Sequence, residues 1–98
     1  MPKNNDIIRI NFSYEDIDTI NCQEAPKFLL RSMYELSKNG GSFKYIELLN
    51  FMKSNYNNEL YYKGHGIRSL KNIDYYWRYA KSDFHNARIP NFKNLVIL

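Results

Sequence analysis

LKNIDYYWRYAKSDFHNARI, residues 70–89, combines an apolar seam with a basic face. Its apolar side chains recur at the three- and four-residue spacing that places them on one side of an α-helix. The members of this seam are Ile73, Tyr76, Trp77, Ala80, Phe84 and Ala87. The pattern predicts a long helix that packs against a core through the seam.

The rest of this helix's circumference is polar. With a rotation of about 100° per residue, five side chains fall in one strip, called here the basic strip: Lys71, Arg78, Lys81, His85 and Arg88. Asp74 is the single acidic residue among them. The strip is flanked by Tyr75, Tyr79, Ser82 and Asn86. Such a helix packs by one side and offers the other to a polyanion.

The composition fits one small globular domain. The 98 residues are 44% hydrophobic and 16% aromatic, with only four Gly and three Pro. A chain of this length buries a limited share of its surface, so a compact core of few elements filled by aromatic side chains is expected. We expect a mainly α fold with short β strands, of the α+β class.

The formal net charge of +4 is unevenly distributed. Residues 1–24 hold two basic and five acidic side chains, whereas residues 25–98 hold twelve basic and five acidic ones. A basic body indicates nucleic acid or another anionic surface as a partner, although ordinary solubilising charge explains the excess equally well.

Several function classes are disfavoured. Cys22 is the only cysteine, so an intrachain disulfide or a cysteine-based zinc site is excluded. No apolar run reaches the roughly 18 residues of a membrane span, and the N-terminus lacks the apolar region of a signal peptide. We therefore expect a cytoplasmic protein with no membrane partner.

Motifs for catalysis are also missing. His65 and His85 are the only histidines and lack paired metal-ligand spacing, and Glu35 precedes Lys38 at the wrong spacing for a nuclease motif. No phosphate-binding or dinucleotide-binding fingerprint occurs. The sequence predicts neither an enzyme nor a cofactor site.

The N-terminal 24 residues are expected to form a tail with a possible short strand and an acidic segment, ahead of a domain over residues 25–98. Ile8, Ile10 and Phe12 alternate with polar residues, which favours a strand. Residues 14–21 hold the acidic cluster. They are compatible with a helical turn or a loop, either docked on the basic body or solvated.

Two helices and a turn are predicted next. Pro26 suits the first turn of a helix that ends near Lys38, before Gly40 and Gly41. Ser42 is a suitable N-cap for a second helix that extends to about residue 56. Two helices joined by a short Gly-containing turn favour a helix-turn-helix corner.

The composition of residues 54–66 indicates a loop, pinned to the core by Leu60, Tyr61 and Tyr62. Pro90 ends the long helix. The β-branched and apolar run of residues 92–98, FKNLVIL, predicts a terminal strand that packs on the helices or pairs with the strand near residue 10.

Residues 79–89, YAKSDFHNARI, are similar to the end of the third helix in the winged-helix domain that precedes Mrr-type restriction endonucleases and accompanies other restriction and modification proteins. Residues 28–52, FLLRSMYELSKNGGSFKYIELLNFM, resemble that domain's first two helices with the turn between them. The chain departs from the family pattern in two places. Arg88 stands where the family has Gly, and the two-stranded wing is reduced to residues 92–98 at most. The resemblance implies a winged-helix-like, three-helix helix-turn-helix domain with duplex DNA as partner.

Nine residues are candidates for nucleic-acid binding: Lys71, Tyr75, Arg78, Lys81, His85, Asn86, Arg88, Lys63 and Arg68. Cationic side chains neutralise phosphates. If the helix enters a major groove, Arg78 and Arg88 would make bidentate contacts to guanine edges, and Asn86 would contact adenine. The alternative is an ordinary solvated helix face. A further hypothesis is stacking on unpaired bases, which competes with core packing and involves Tyr61, Tyr62, Tyr75, Tyr76 and Trp77.

Two functions from different classes remain. The first is a noncatalytic nucleic-acid-binding domain that reads duplex DNA through the basic strip. The second is a small protein-interaction module, for instance a phage- or mobile-element-encoded inhibitor that occupies a partner's surface with the same face. If the basic strip were merely structural, Asp16, Asp18 or the N-terminal tail would be expected to cover it.

Overall fold

The structure, a computed structural model, describes residues 2–63, 77–78, 80 and 89–98. Its elements are β1 (Ile7–Ile10), α1 (Tyr14–Thr19), α2 (Glu24–Ser37), β2 (Ser42–Lys44), α3 (Tyr45–Asn55), α4 (Phe92–Leu95) and β3 (Val96–Ile97). Trp77, Arg78 and Ala80 are also helical. The chain is a small α+β domain, as the sequence predicts.

The strands form an antiparallel sheet in the order β2-β1-β3. Ile8 pairs with Phe43 and Ile10 pairs with Val96, and these side chains point toward the helices. The predicted strand near residue 8 is therefore confirmed. It is the central strand, so the middle of the sheet comes from the N-terminal 24 residues, ahead of the acidic segment.

The acidic segment, for which the sequence allowed a helical turn or a loop, forms helix α1. The Ser13 N–H donates to Asp16 Oδ2 at 2.9 Å, and the Asp16 N–H donates to Ser13 Oγ at 3.4 Å. This reciprocal capping box satisfies amides at the helix start. Ile17 is buried in the core, so the segment is a docked helix.

Helix α2 begins two residues before the predicted Pro26 and ends one residue before Lys38. Its buried face supplies Phe28, Leu29, Leu30 and Met33 to the core. Gly40 and Gly41 follow at φ +113° and +78°. These are backbone conformations that glycine adopts at low cost, so the chain reverses where the sequence predicts.

The prediction of Ser42 as a helix N-cap is wrong. Ser42 lies in β2 opposite Arg9, and α3 begins at Tyr45. The Lys44 N–H, at the position before the helix, donates to Glu47 Oε1 at 2.9 Å. Pairing with β1 therefore outweighs the local capping preference of serine.

The C-terminal run is only partly a strand. Val96 and Ile97 pair with Ile10 and Arg9, as predicted, but Phe92–Leu95 forms one helical turn after Asn91, whose φ is +58°. Phe92 and Val96 are both buried. A helical turn places residues four apart on the same side, so both reach the core.

Of the side chains predicted to lie in the core, Trp77 and Tyr62 are buried and Leu60 is not. Trp77 is buried, with its ring edge-on to Tyr45 at 5.6 Å and to Phe92 at 5.1 Å between centroids. Tyr62 is buried against Phe28, as expected. Leu60, expected to pin the same loop, is instead exposed. Side chains of loop residues follow the path of the backbone, which composition does not specify.

Candidate nucleic-acid interface

The structure describes two of the nine candidate residues, Arg78 and Lys63. The other seven lie outside the described residues: Lys71, Tyr75, Lys81, His85, Asn86, Arg88 and Arg68. The described part of the candidate interface consists of Arg78 and Lys63 with the residues around them.

Arg78 lies on the outer side of a helical segment. Trp77, the residue before it, is 2% exposed, and Ala80, two residues after it, is completely buried, whereas Arg78 is exposed. One step along a helix turns the side chain by about 100°, so burial at 77 and exposure at 78 mark the boundary between two faces. At these three positions the predicted seam faces inward and the predicted strip faces outward.

The orientation of this segment is held by contacts from two sides. Tyr45 starts α3 and Phe92 starts α4, and their rings meet the Trp77 indole at interplanar angles of 82° and 88°. The Ile89 N–H donates to the Ala80 carbonyl oxygen at 2.9 Å. Edge-to-face aromatic contacts are directional, so rotation of the segment about its axis would break all of them.

The acidic residues that were expected to cover a merely structural basic strip have partners elsewhere. Asp16 accepts the Ser13 amide. Asp18 Oδ1 lies 3.7 Å from Arg31 Nη2, and Glu24 accepts from Arg31 as well. The acidic N-terminal segment is therefore docked on α2 through Arg31.

Lys63 is exposed and directly follows the buried Tyr62. The two tyrosines before it are engaged in packing: Tyr62 meets Phe28 edge-on at 5.2 Å, and Tyr61 meets Phe51 edge-on at 5.0 Å. These contacts favour core packing over base stacking for Tyr61 and Tyr62. They also hold the backbone on which Lys63 is carried.

Cys22 and the acidic side chains are the described groups whose chemistry bears on catalysis or metal binding. Burial raises the pKa of the Cys22 thiol above its usual value, so at neutral pH the sulfur is protonated and weakly nucleophilic. Among the described residues, no group of three or more His, Cys, Asp and Glu side chains is arranged to hold a metal ion.

Two further cations, Arg9 and Lys44, were not singled out from the sequence. Both are exposed on strands of the sheet. The alternation around Ile8 and Ile10 already implies that Arg9 points away from the core. The position of Lys44 required knowledge of β2, which the sequence pattern did not reveal.

Comparisons with known proteins assign no family. The chain matches no protein-family model, no curated protein and no solved structure. Within the part of the chain that the structure describes, no helix is both long and apolar enough to cross a membrane. Any function assigned to the chain therefore rests on its own residues.

Proposed function

We propose that this chain is a noncatalytic nucleic-acid-binding domain of winged-helix-like architecture, which binds duplex DNA through the basic strip of residues 70–89. The observation that carries the proposal is the exposure of Arg78 beside the buried Trp77 and Ala80. It is the arrangement expected of a helix that packs by its seam and presents its cations to a polyanion.

The order of the elements supports a helix-turn-helix arrangement. Helices α2 and α3 are joined through the Gly40–Gly41 turn and the short strand β2, and they pack on each other in one core with Trp77. After residues 70–89 the chain returns to the sheet as one strand, β3. In the described residues, no hairpin follows that segment, so the proposed contact with DNA depends on the helix and not on a wing.

The chemistry of the basic strip suits a duplex. Lys71, Lys81 and Arg88 would neutralise phosphates, a contribution that is independent of base sequence and sensitive to salt. Arg78 and Arg88 have planar guanidinium groups that match the two acceptors of guanine in the major groove, and the Asn86 amide matches adenine.

A salt titration tests the proposal. A fluorescein-labelled duplex of 20 base pairs is titrated with protein, and anisotropy is measured between 50 and 200 mM salt. Each lost phosphate contact lowers the slope of log K against log salt by about 0.9. The triple variant Arg78→Ala, Lys81→Ala, Arg88→Ala removes the phosphate contacts of Lys81 and Arg88 and should therefore lower the slope by about 2 and weaken binding at least about tenfold.

The matched control removes the same charge from other elements. Lys3, Lys53 and Lys93 are exposed, and their replacement by Ala should leave most of the affinity intact. Absence of binding at 50 mM salt, or an equal loss in the two triple variants, would refute recognition through the basic strip.

A further inference from the structure

The outer face of the sheet, which points away from the helices, combines cations with exposed aliphatic side chains. Ile7 and Ile97 are 47% and 48% exposed, and Arg9 and Lys44 are exposed as well. Ser42 completes the face. The inward side chains of the same strands are Ile8, Ile10, Phe43 and Val96. The period of two thus separates a core face from a mixed basic and apolar face.

The register sets the layout of this face. Lys44 lies opposite Ile7, and Arg9 lies opposite Ile97 on one side and Ser42 on the other. Directly opposed side chains have Cβ atoms about 5 Å apart, and diagonal ones are about 7–8 Å apart. Each cation is therefore next to an isoleucine, and the two cations are diagonal neighbours.

Within the part of the chain that the structure describes, no carboxylate forms an ion pair with the cations of the outer face. Among the described residues, the ion pairs involve Arg31 and Lys38, and neither Arg9 nor Lys44 takes part. The two nearest carboxylates in sequence are used by backbone amides: Asp6 accepts from Lys3, and Glu47 accepts from Lys44. A partner that brings carboxylates would meet two cations on this face.

We propose that the outer face of the sheet docks an acidic amphipathic helix of another protein, one with an aliphatic stripe bordered by Glu or Asp. The aliphatic stripe would cover Ile7 and Ile97, while the carboxylates would pair with Arg9 and Lys44. This site uses residues of the sheet and none of the basic strip, and it adds a protein partner to the proposed function.

The dimensions of the face match a helix. Three strands spaced about 4.8 Å apart span roughly 10 Å, close to the 10–12 Å diameter of an α-helix with its side chains. Helices cover sheet faces throughout α/β and α+β folds. A single helix would therefore bury both isoleucines together.

Charge and polarity favour this occupant over others. A second copy placed face to face would bring Arg9 and Lys44 toward the same cations, which costs energy. A phosphate backbone would satisfy the cations but offers less apolar surface to Ile7 and Ile97. An acidic amphipathic helix satisfies both kinds of side chain.

The experiment uses an 18-residue synthetic peptide with Leu at helical spacing and Glu on both flanks, titrated into the ¹⁵N-labelled full chain. The largest changes in amide chemical shift on peptide binding should occur at Ile7, Arg9, Ser42, Lys44 and Ile97. The variant Arg9→Glu, Lys44→Glu should bind at least about tenfold more weakly, since two surface ion pairs become repulsions. Ile7→Thr with Ile97→Thr keeps β-branched side chains and should also weaken binding.

The controls separate this site from the basic strip. Lys53→Glu changes an exposed cation of α3, and Arg78→Ala changes the proposed DNA-binding face; both should leave peptide affinity within about twofold. A peptide with Lys in place of Glu should not bind. The proposal is overturned if the Glu peptide does not bind, or if the chemical-shift changes that it causes lie outside the outer face. It is also overturned if a 20-base-pair duplex, without peptide, changes the amide chemical shifts of this face.

Discussion

Arg31 Nη1 lies 3.0 Å from Glu24 Oε2, and this pair joins the first turn of α2 to a position seven residues later. The Arg31 side chain is 2% exposed, and its Nη1 also donates to the Tyr61 carbonyl oxygen at 3.0 Å. Asp18 approaches Nη2 at 3.7 Å. One buried cation therefore connects α1, α2 and the loop after α3. Its partners should contribute unequally to the free energy of unfolding.

Glu24→Ala should destabilise the fold more than Asp18→Ala. The Glu24 carboxylate is closer to Arg31, and its side chain is 40% exposed, whereas the Asp18 side chain is 64% exposed. Removing the near partner leaves a buried charge poorly compensated and should cost about 2–3 kcal/mol, whereas loss of the exposed pair should cost under about 1 kcal/mol. Urea denaturation of the two variants measures the difference. Equal costs would show that Arg31 is stabilised mainly by the Tyr61 carbonyl.

Gly41→Ala should lower the free energy of unfolding by about 1–2 kcal/mol, entirely through the backbone. An added Cβ would meet no atom within 4 Å, so no steric contact contributes, but φ is +78°. Gly41→Asn is the matched variant and should cost less, since Asn tolerates a left-handed backbone better. Thermal denaturation of both variants gives the comparison. A larger cost for Asn would contradict the backbone explanation.

Trp77→Ala should cost about 3–5 kcal/mol, the usual range for truncating a buried tryptophan. Trp77→Phe should be far milder. It keeps an aromatic ring against Tyr45 and Phe92, and it removes an indole N–H that has no hydrogen-bond partner among the described residues. Chemical denaturation reports the stabilities. Duplex affinity of Trp77→Phe should stay near that of the parent chain, because we place Trp77 in the core and not on the DNA.

Cys22 should react slowly with iodoacetamide at pH 8 in the folded chain and faster after unfolding in urea. Burial raises the pKa of this thiol, which lowers the thiolate fraction at a given pH. Burial makes the folded pKa of the thiol higher than its unfolded pKa. The contribution of Cys22 to the free energy of unfolding is therefore fully present below the unfolded pKa and is lost as pH rises through the folded pKa. Cys22→Ser should remove this loss. Equal alkylation rates in the two states would contradict the burial argument.

Local patterns predicted much of the helical structure. The bounds of α2 follow from Pro26 and the Gly40–Gly41 turn, and the burial of Trp77 and Ala80 follows from the helical spacing of the seam. These signals succeed because they depend on neighbours within one or two turns. The rest of the seam and most of the basic strip lie outside the described residues, so their placement stays a prediction.

Where the structure differs from the prediction, the cause is contact between residues far apart in the chain. Ser42 has the chemistry of an N-cap, yet it lies in β2 because β1 is beside it. Residues 92–95 have strand-like composition, yet they form a helical turn that buries Phe92 and Val96 together. The outer sheet face with Arg9 and Lys44 appears only when the two strands are aligned.

The sequence by itself determined the α+β class, the amphipathic character of residues 70–89 and the positions of the main turn, because periodicity and backbone preference are encoded locally. Only the tertiary structure decided that β1 lies between β2 and β3, that Arg31 is buried among Glu24, Asp18 and Tyr61, and that Ile7 and Ile97 share a face with two cations. Most of these relationships join residues far apart in the chain, and their free energy depends on which surfaces meet when the core closes.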